Sequence, residues 1–514
     1  MEFGSRARRV ALGCCVAVTV IGSLAVPAPA APPPAELPPD LVAALRRDLR
    51  IDAAQYLQRI RTAERLDAFA RTARAAHPRA FAGVRMDGDR GVVALAEDVT
   101  TAPARAAAER EGFAVESVAD SEATLRGRRV AFEQWLTRQP RDVAGRVVSY
   151  GIDVTHNSLT VRVTEGTTLP EEAGRVRAIA AAMPVARPQE SDGSDIAEPG
   201  PGVTESLPDP HPAPGTTEPQ PGTHPDPGVT ESQPAPHREP GVSEPLPEGT
   251  GAAAVLGGQP YAFDYAGRTG KCSFGFNGVD AAGNTVNITA GHCDPDNLID
   301  PGERGTGPQH IFETAFDAHD KRRGAALGWF EVSELGPQDY SVIRIDENAA
   351  PRFRNNLVTS RRVTVPGPLP GGSAAGAHLP TSSTEGEAGK PPSGDVAITG
   401  TADPVVGGVV CKAGLRTGYT CGQVLDVDME LNVKESPDDD HVTRLRHMFA
   451  ANVCGQHGDS GGPVFAGASA VGISSAVAMD PTSPEDGCGL LPLLIGQPIN
   501  AVLQANPGLR IRTS

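Results

Sequence analysis

The sequence of 514 residues predicts an all-β C-terminal domain, preceded by a small α+β domain and a disordered proline-rich linker. Three observations carry this. From Val255 onward, short apolar runs are broken by Gly, Asn, Asp and Pro with few helical repeats, the texture of a sandwich or barrel. Between Arg187 and Thr250 the composition shifts to Pro, Glu, Gly, Thr and His. Before that, helical and strand periodicities alternate in a stretch without cysteine.

Taken in chain order, the residues Met1 to Ser5 fit either an expression scar or a true start and are set aside. Basic Arg6-Ala-Arg-Arg9, the apolar run Val10 to Val26 and the small-residue site Ala28-Pro-Ala30 supply the three regions of a secretory signal peptide, 1–30. The apolar run sits at the short limit for spanning a bilayer. Removal of the leader is therefore expected, leaving a secreted chain, extracellular or cell-wall associated, with no membrane segment.

In 37–185, Leu41, Leu45 and Leu49, then Leu57, Ile60 and Ala63, recur at helical spacing. Val84 to Leu95 reads as a hairpin around a Gly/Asp turn, and Val147 to Val163 as a second sheet region turning at Thr155–Ser158. The linker, 186–254, repeats Pro-Gly-Val-Thr-Glu-Ser and buries too little apolar surface to offset its ordering entropy. His211, His224 and His237 are scattered there and read as solvated, so no metal is expected.

In 255–514 the strand candidates are Cys272–Phe276, Thr285–Thr289, Tyr340–Ile345, Val405–Val410, Gln423–Val427 and Ala470–Ser475. Pro366 to Pro392 is rich in Gly, Ser and Pro and reads as a surface loop. The formal charge of −17 argues against nucleic acid as a partner. Of the 8 cysteines, Cys14 and Cys15 fall in the leader, leaving Cys272, Cys293, Cys411, Cys421, Cys454 and Cys488. In an exported chain these suggest disulfides. Many pairings are open in principle, and pairing neighbours in sequence order is the simplest choice.

A serine becomes a nucleophile when an imidazole takes its proton, a carboxylate orients that imidazole and amides receive the oxyanion. Thr289-Ala-Gly-His292-Cys293 places a histidine just after a strand. Asp339-Tyr-Ser-Val-Ile-Arg-Ile places an acid at a strand mouth, and Gly458-Asp-Ser460-Gly-Gly places a hydroxyl in a glycine-rich turn. Each alone is weak; a lone histidine of this kind is usually structural. Together, in the order His, Asp, Ser, they form a catalytic constellation.

These three motifs resemble the active-site motifs of chymotrypsin-like serine proteases. The bacterial secreted branch, the streptogrisin and α-lytic protease group, fits best, and Val409 to Gly422 resembles its short disulfide loop. The resemblance spans about residues 255–505 and implies a double six-stranded β-barrel with the site between the barrels. It implies that Ser460 attacks, His292 is general base then acid, Asp339 fixes its tautomer, and the amides of Gly458 and Ser460 form the oxyanion hole. It further implies pairs Cys272–Cys293, Cys411–Cys421 and Cys454–Cys488, a structural ion pair between Lys412 and Asp459, and a pocket wall at Ser474, Ser475 and Ala476. The alternative for Asp459 is retention by backbone amides with Lys412 solvated.

The same resemblance makes 37–185 a pro-region that assists folding and then inhibits, with maturation near Ala254-Val255. Here the long tether between the domains departs from the family and puts the inhibition geometry in question. Ala476 in the wall favours small or medium apolar substrate side chains. The long Cys293–Gln338 segment and the extended loop before Cys411 fit substrate recognition or neutral insertion. The expected function is a secreted serine endopeptidase made as a zymogen, acting as a monomer on protein or peptide substrates, with its own pro-region as partner and no cofactor. The rival readings are an inert protease-like binding module and a serine esterase. His457 stands where relatives often carry proline and is not expected to be the base.

Overall fold

The structure is a computed structural model describing residues 37–181, 183–184, 189–190, 253–265, 268–298, 307–314, 323–360, 394–434, 442–478, 488 and 492–514. The expected leader, the loop 366–392 and all of the linker except 189–190 and 253–254 lie outside the described residues.

The N-terminal region begins with α1 (Pro39–Asp48), with proline in its first turn and Leu41 and Leu45 buried. Helix α2 (Ala53–Ala76) starts with a capping box. Asp52 accepts from the Gln55 amide, and the Gln55 side chain accepts from the Asp52 amide. Strands β1 (Phe81–Asp87) and β2 (Arg90–Ala96) form the hairpin read from sequence. Helix α3 (Thr101–Arg110) leads into β3 (Ala114–Val118), which lies parallel to β2. Helices α4 (Glu122–Leu136), capped by Ser121, and α5 (Arg141–Ala144) follow. Then come β4 (Val147–Asp153), β5 (Ser158–Val163) and β6 (Arg177–Ala180).

The C-terminal region is built on two mainly antiparallel sheets. Gln189–Glu190, inside the expected linker, form a short β7. The first sheet then contains β8 (Pro260–Tyr265), β9 (Arg268–Ser273), β10 (Phe276–Val279) and β11 (Thr285–Thr289). It continues with β12 (His310–Thr314), β13 (Arg323–Leu335) and β14 (Asp339–Ile345), in the order β10-β11-β14-β13-β12-β8-β9-β7. Strands β15 (Leu357–Thr359) and β16 (Asp395–Ala397) pair separately, and β17 (Gly400–Thr401) joins the second sheet at its margin. That sheet contains β18 (Val409–Lys412), β19 (Thr420–Val433), β20 (Thr443–Ala451), β21 (Pro463–Ala466), β22 (Ser469–Ala478) and β23 (Leu493–Pro498). Because β18 pairs with both β21 and β19, the six strands form a closed circuit of pairing. Helix α6 (Ile499–Ala505) leads into β24 (Arg510–Ile511), which returns to β10.

The apolar half of each sheet defines its core. Tyr261, Phe263, Phe274, Phe330 and Phe353 fill the first, packed edge to face or tilted. Val410, Val424, Phe449, Val464, Val471 and Leu494 fill the second. The two chain regions are not separately closed. Leu41, Leu45, Tyr56 and Ile60 of α1 and α2 share one buried cluster with Val409, Tyr419, Phe465 and Ile473. The region Val147 to Val163 also departs from a self-contained sheet. Tyr150 and Ser149 of β4 pair with Glu430 and Leu431, so β4, β5 and β6 extend the second sheet from the edge of β19.

Candidate active site

The histidine of the Thr-Ala-Gly-His-Cys motif lies in a single 3-10 turn, Gly291–Cys293, directly after β11. Cys293 is bonded to Cys272 near the end of β9, which ties that turn to the sheet. The His292 amide donates to Asp339 Oδ1 at 2.9 Å, and Nδ1 lies 2.8 Å from Asp339 Oδ2. Both side chains are fully buried. Asp339 opens β14 and receives a third donor, Ser475 Oγ of β22, at 2.5 Å. Its own amide donates to Gln497 Oε1 of β23 at 3.1 Å. Two side chains of the second sheet thus hold an aspartate of the first.

Burial alone would push the Asp339 carboxyl up. The His292 charge and hydrogen bond, then the Ser475 hydroxyl, outweigh it and hold the group below the usual carboxylate range. An ionised carboxylate only accepts, so the His292 proton sits on Nδ1. Nε2 is buried and has no hydrogen-bond partner among the described residues.

Ser460 sits in the turn between β20 and β21, which the backbone locks against the first sheet. The Ser273 amide donates to the Ser460 carbonyl at 2.8 Å, and Ser273 Oγ donates to the Gly458 carbonyl at 2.8 Å. Gly461, with φ +79°, lies so close that a Cβ there would stand 1.9 Å from Thr289 Oγ1 and 3.1 Å from the Ala290 amide. The serine turn and the residues just before His292 are therefore in contact. Gly458 has φ +101°, a conformation that only glycine adopts freely.

In the same turn Asp459 accepts from four donors besides Lys412. Arg416 and Thr417 amides reach Oδ1 at 2.8 and 3.1 Å, while the Gln456 amide and Thr417 Oγ1 reach Oδ2 at 3.0 and 2.8 Å. Lys412 Nζ lies 2.9 Å from Oδ2 with both side chains buried, and Lys412 also donates to Thr417 Oγ1. The pair and the amide cage, weighed in sequence as alternatives, occur together. Burial opposes ionisation of Asp459, but the Lys412 charge and hydrogen bond, with Thr417, hold it below its usual range. The loop carrying these groups is closed by Cys411–Cys421, and a third bond joins Cys454 to Cys488.

The Ser475 hydroxyl turns to Asp339, a contact that the sequence reading did not include. Strand alternation and the irregularity between Ser474 and Ala476 against β23 set that direction. Ser474 is buried with its Oγ unpartnered among the described residues, and Ala476 packs near Met429, Leu431 and Ile495. Gln497, Ser273 and Thr417 were not singled out from sequence; only Thr417, within the disulfide loop after Lys412, carried a local signal. Cys272, His292 and Cys293 form a group with metal-ligand chemistry, but the thiols are spent in a disulfide and Nδ1 on Asp339. No helix among the described residues is long and apolar enough to cross a membrane.

This mostly β chain, with a His–Asp pair and a Gly-Asp-Ser-Gly-Gly turn packed together, is similar to bacterial serine proteases. The chain's curated relatives are streptogrisins and other serine proteases. Streptogrisin-C of Streptomyces griseus is 26% identical over 262 residues, covering 51% of this chain and 42% of the relative. Serine protease 2 of Streptomyces fradiae is 26% identical over 221 residues, covering 43% and 93%. Glutamyl endopeptidase 2 of Streptomyces griseus is 26% identical over 252 residues, covering 49% and 96%. The chain thus spans under half the length of streptogrisin-C but nearly all of the two shorter relatives. Among solved structures, Thermobifida fusca protease A aligns over 51% of this chain and 100% of its own at 24% identity, with a TM-score of 0.32. No family model matches the chain.

Proposed function

We propose that the chain is the zymogen of a secreted serine endopeptidase, with a double six-stranded barrel carrying Ser460, His292 and Asp339 as its triad. The observation that carries this reading is the state of His292. Its Nδ1 is held by an ionised carboxylate, and its buried Nε2 has no partner among the described residues. Nε2 is then the atom that takes the Ser460 proton as Oγ bonds to the scissile carbonyl carbon. The tetrahedral oxyanion is received by the Gly458 and Ser460 amides. Collapse breaks the C–N bond, with the proton on Nε2 passing to the leaving amine, and water attacks the acyl-enzyme in the reverse sense.

The N-terminal region is the inhibitor. Pro184 accepts from the Lys434 amide just beyond β19, and Gln189–Glu190 pair with Gly270–Lys271, beside Cys272. Gln189–Glu190, near the start of the linker, thus lie on the strand that anchors His292. A long tether after this point does not hinder inhibition in cis. Maturation falls ahead of Val255, whose amide already donates to the Arg352 carbonyl at 2.9 Å. In the wall Ser474-Ser475-Ala476, the Ala476 methyl narrows the substrate pocket toward small or medium apolar side chains.

The test is labelling by an active-site fluorophosphonate after maturation, with casein and a simple ester as substrates. The wild type should label and cleave casein; Ser460→Ala should do neither. Absence of labelling would make the chain an inert module, and ester cleavage without casein cleavage would make it an esterase.

A further inference from the structure

The contact between the N-terminal region and β19 is lined by charge on both sides. Strand β19 offers Asp426, Asp428 and Glu430. Opposite them, Arg162 of β5 donates to Asp426 Oδ2 at 2.9 Å, and Arg129 of α4 donates to Asp428 Oδ2 at 2.9 Å. Tyr150 of β4 donates to Glu430 Oε2 at 3.3 Å. From β20, Arg444 and Arg446 lie 3.1 and 3.6 Å from Glu430, and His447 Nδ1 lies 2.6 Å from Asp428 Oδ1.

Asp426 is the poorly satisfied member of this set. Its side chain is 4% exposed, and its Oδ1 is buried with no partner among the described residues. The cation that reaches it is Arg162, itself 25% exposed. Asp153 of β4 adds like charge nearby, although Arg177 and His156 lie 3.3 and 2.7 Å from that acid. A carboxylate with one bare oxygen in a dry contact is cheaper to hold as the neutral acid.

We propose that docking of the N-terminal region onto β19 takes up a proton at Asp426, so that its grip is tighter at mildly acidic pH and loosens toward neutrality. The proposal rests on the zymogen reading, in which the two regions must eventually part.

The direction follows from linkage. Burial, outweighing the charge and hydrogen bond of Arg162, pushes the covered Asp426 up to about 6 from an ordinary 3.8. Uncovered, the same acid regains water and its ordinary range. The docked state therefore binds more protons in that window, and stabilisation present at lower pH is lost as pH rises through about 6. Glu430 shifts the same way, raised by burial and by Glu133 of α4 against the pull of Arg446, Arg129 and His447. Asp428 does not oppose this. Burial would raise it, but His447 and Arg129 hold it below its usual range, so it stays ionised throughout the window. The raised His447, paired with Asp428, keeps that partner after release because both lie on the β19–β20 hairpin.

The test uses the full chain carrying Ser460→Ala, with a site for a sequence-specific protease inserted at Arg238 in the linker. After the cut, the dissociation constant of the two pieces is measured by dilution and size exclusion. Binding should be about tenfold tighter at pH 5 than at pH 7.5. Adding Asp426→Asn should bring the two pH values within roughly twofold of each other, both tight. Arg162→Gln, which leaves the acid in place without its cation, should make the dependence steeper. The proposal is overturned if Asp426→Asn keeps the full pH ratio, if binding is tighter at pH 7.5, or if the pieces separate at both pH values. Full activity of the cut chain with Ser460 intact and both pieces still bound would instead sink the inhibitory reading and leave the proton linkage standing.

Discussion

Asp339 and Asp426 are both buried aspartates in strands, and the surroundings drive them in opposite directions. Asp339 accepts from the His292 amide, His292 Nδ1 and Ser475 Oγ, and is held below its usual range. Asp426 meets Arg162 on one oxygen, has the other bare, and is pushed up to about 6. Depth does not separate them, since both are almost fully covered. The difference lies in how many donors are fixed around each oxygen, which decides whether burial leaves a permanent charge or a titrating one. A site that must orient an imidazole needs the first kind. The contact between β5 and β19 carries the second.

The largest effect expected from breaking this comparison comes at Asp339. Asparagine fits the space, but its amide nitrogen cannot accept from Nδ1, and the imidazole tautomer reverses. Asp339→Asn should lower kcat for a peptide substrate by on the order of 10⁴, with the fold retained by circular dichroism. A loss smaller than tenfold would mean that the carboxylate does not orient His292.

Asp459 sharpens the same comparison, since it combines a full set of donors with a buried cation. Lys412→Ala removes the cation while the Arg416, Thr417 and Gln456 amides remain. Breaking a buried pair this way typically costs about 3–5 kcal/mol, and the remaining donors place the expected loss near the lower end. Denaturant unfolding of the inactive chain measures it; a cost under about 1 kcal/mol would show that hydrogen bonds alone keep the anion. Asp459 and Asp339 are both depressed, so each stabilises the fold above the unfolded carboxylate range and loses that contribution as pH falls below it. Neither titrates in the window assigned to Asp426.

What the sequence made legible was local. The helices around Leu41 and Ile60, the Val84–Leu95 hairpin and the strand that Asp339 opens are all written in periodicity and turn residues within a few positions. His292, Asp339 and Ser460 were legible because each sits where a strand ends or a glycine-rich turn bends. The direction of Ser475 was not, because it depends on the register of β22 against β23 and an irregularity in that pairing. The attachment of β4 to β19 was equally hidden: Tyr150 and Glu430 are 280 positions apart, and nothing near either residue encodes the other. Gln497 was invisible for the same reason, as its partner is a backbone amide on the other sheet.

Ser475 offers the finest cut, because removing it subtracts one donor from Asp339 and leaves two. A hydrogen bond to a charged group is worth roughly 1.5–3 kcal/mol, so Ser475→Ala should reduce kcat by about ten- to a hundredfold. With fewer donors the Asp339 carboxyl moves up toward the state of Asp426, so the loss should deepen as the pH falls. A residue that only filled space would lower kcat by the same factor at every pH, and Ser475→Thr, which keeps the hydroxyl, should recover most of the rate. If Ser475→Ala behaves as the wild type across pH, the two donors from His292 suffice to hold the charge, and the contrast with Asp426 rests on His292 alone.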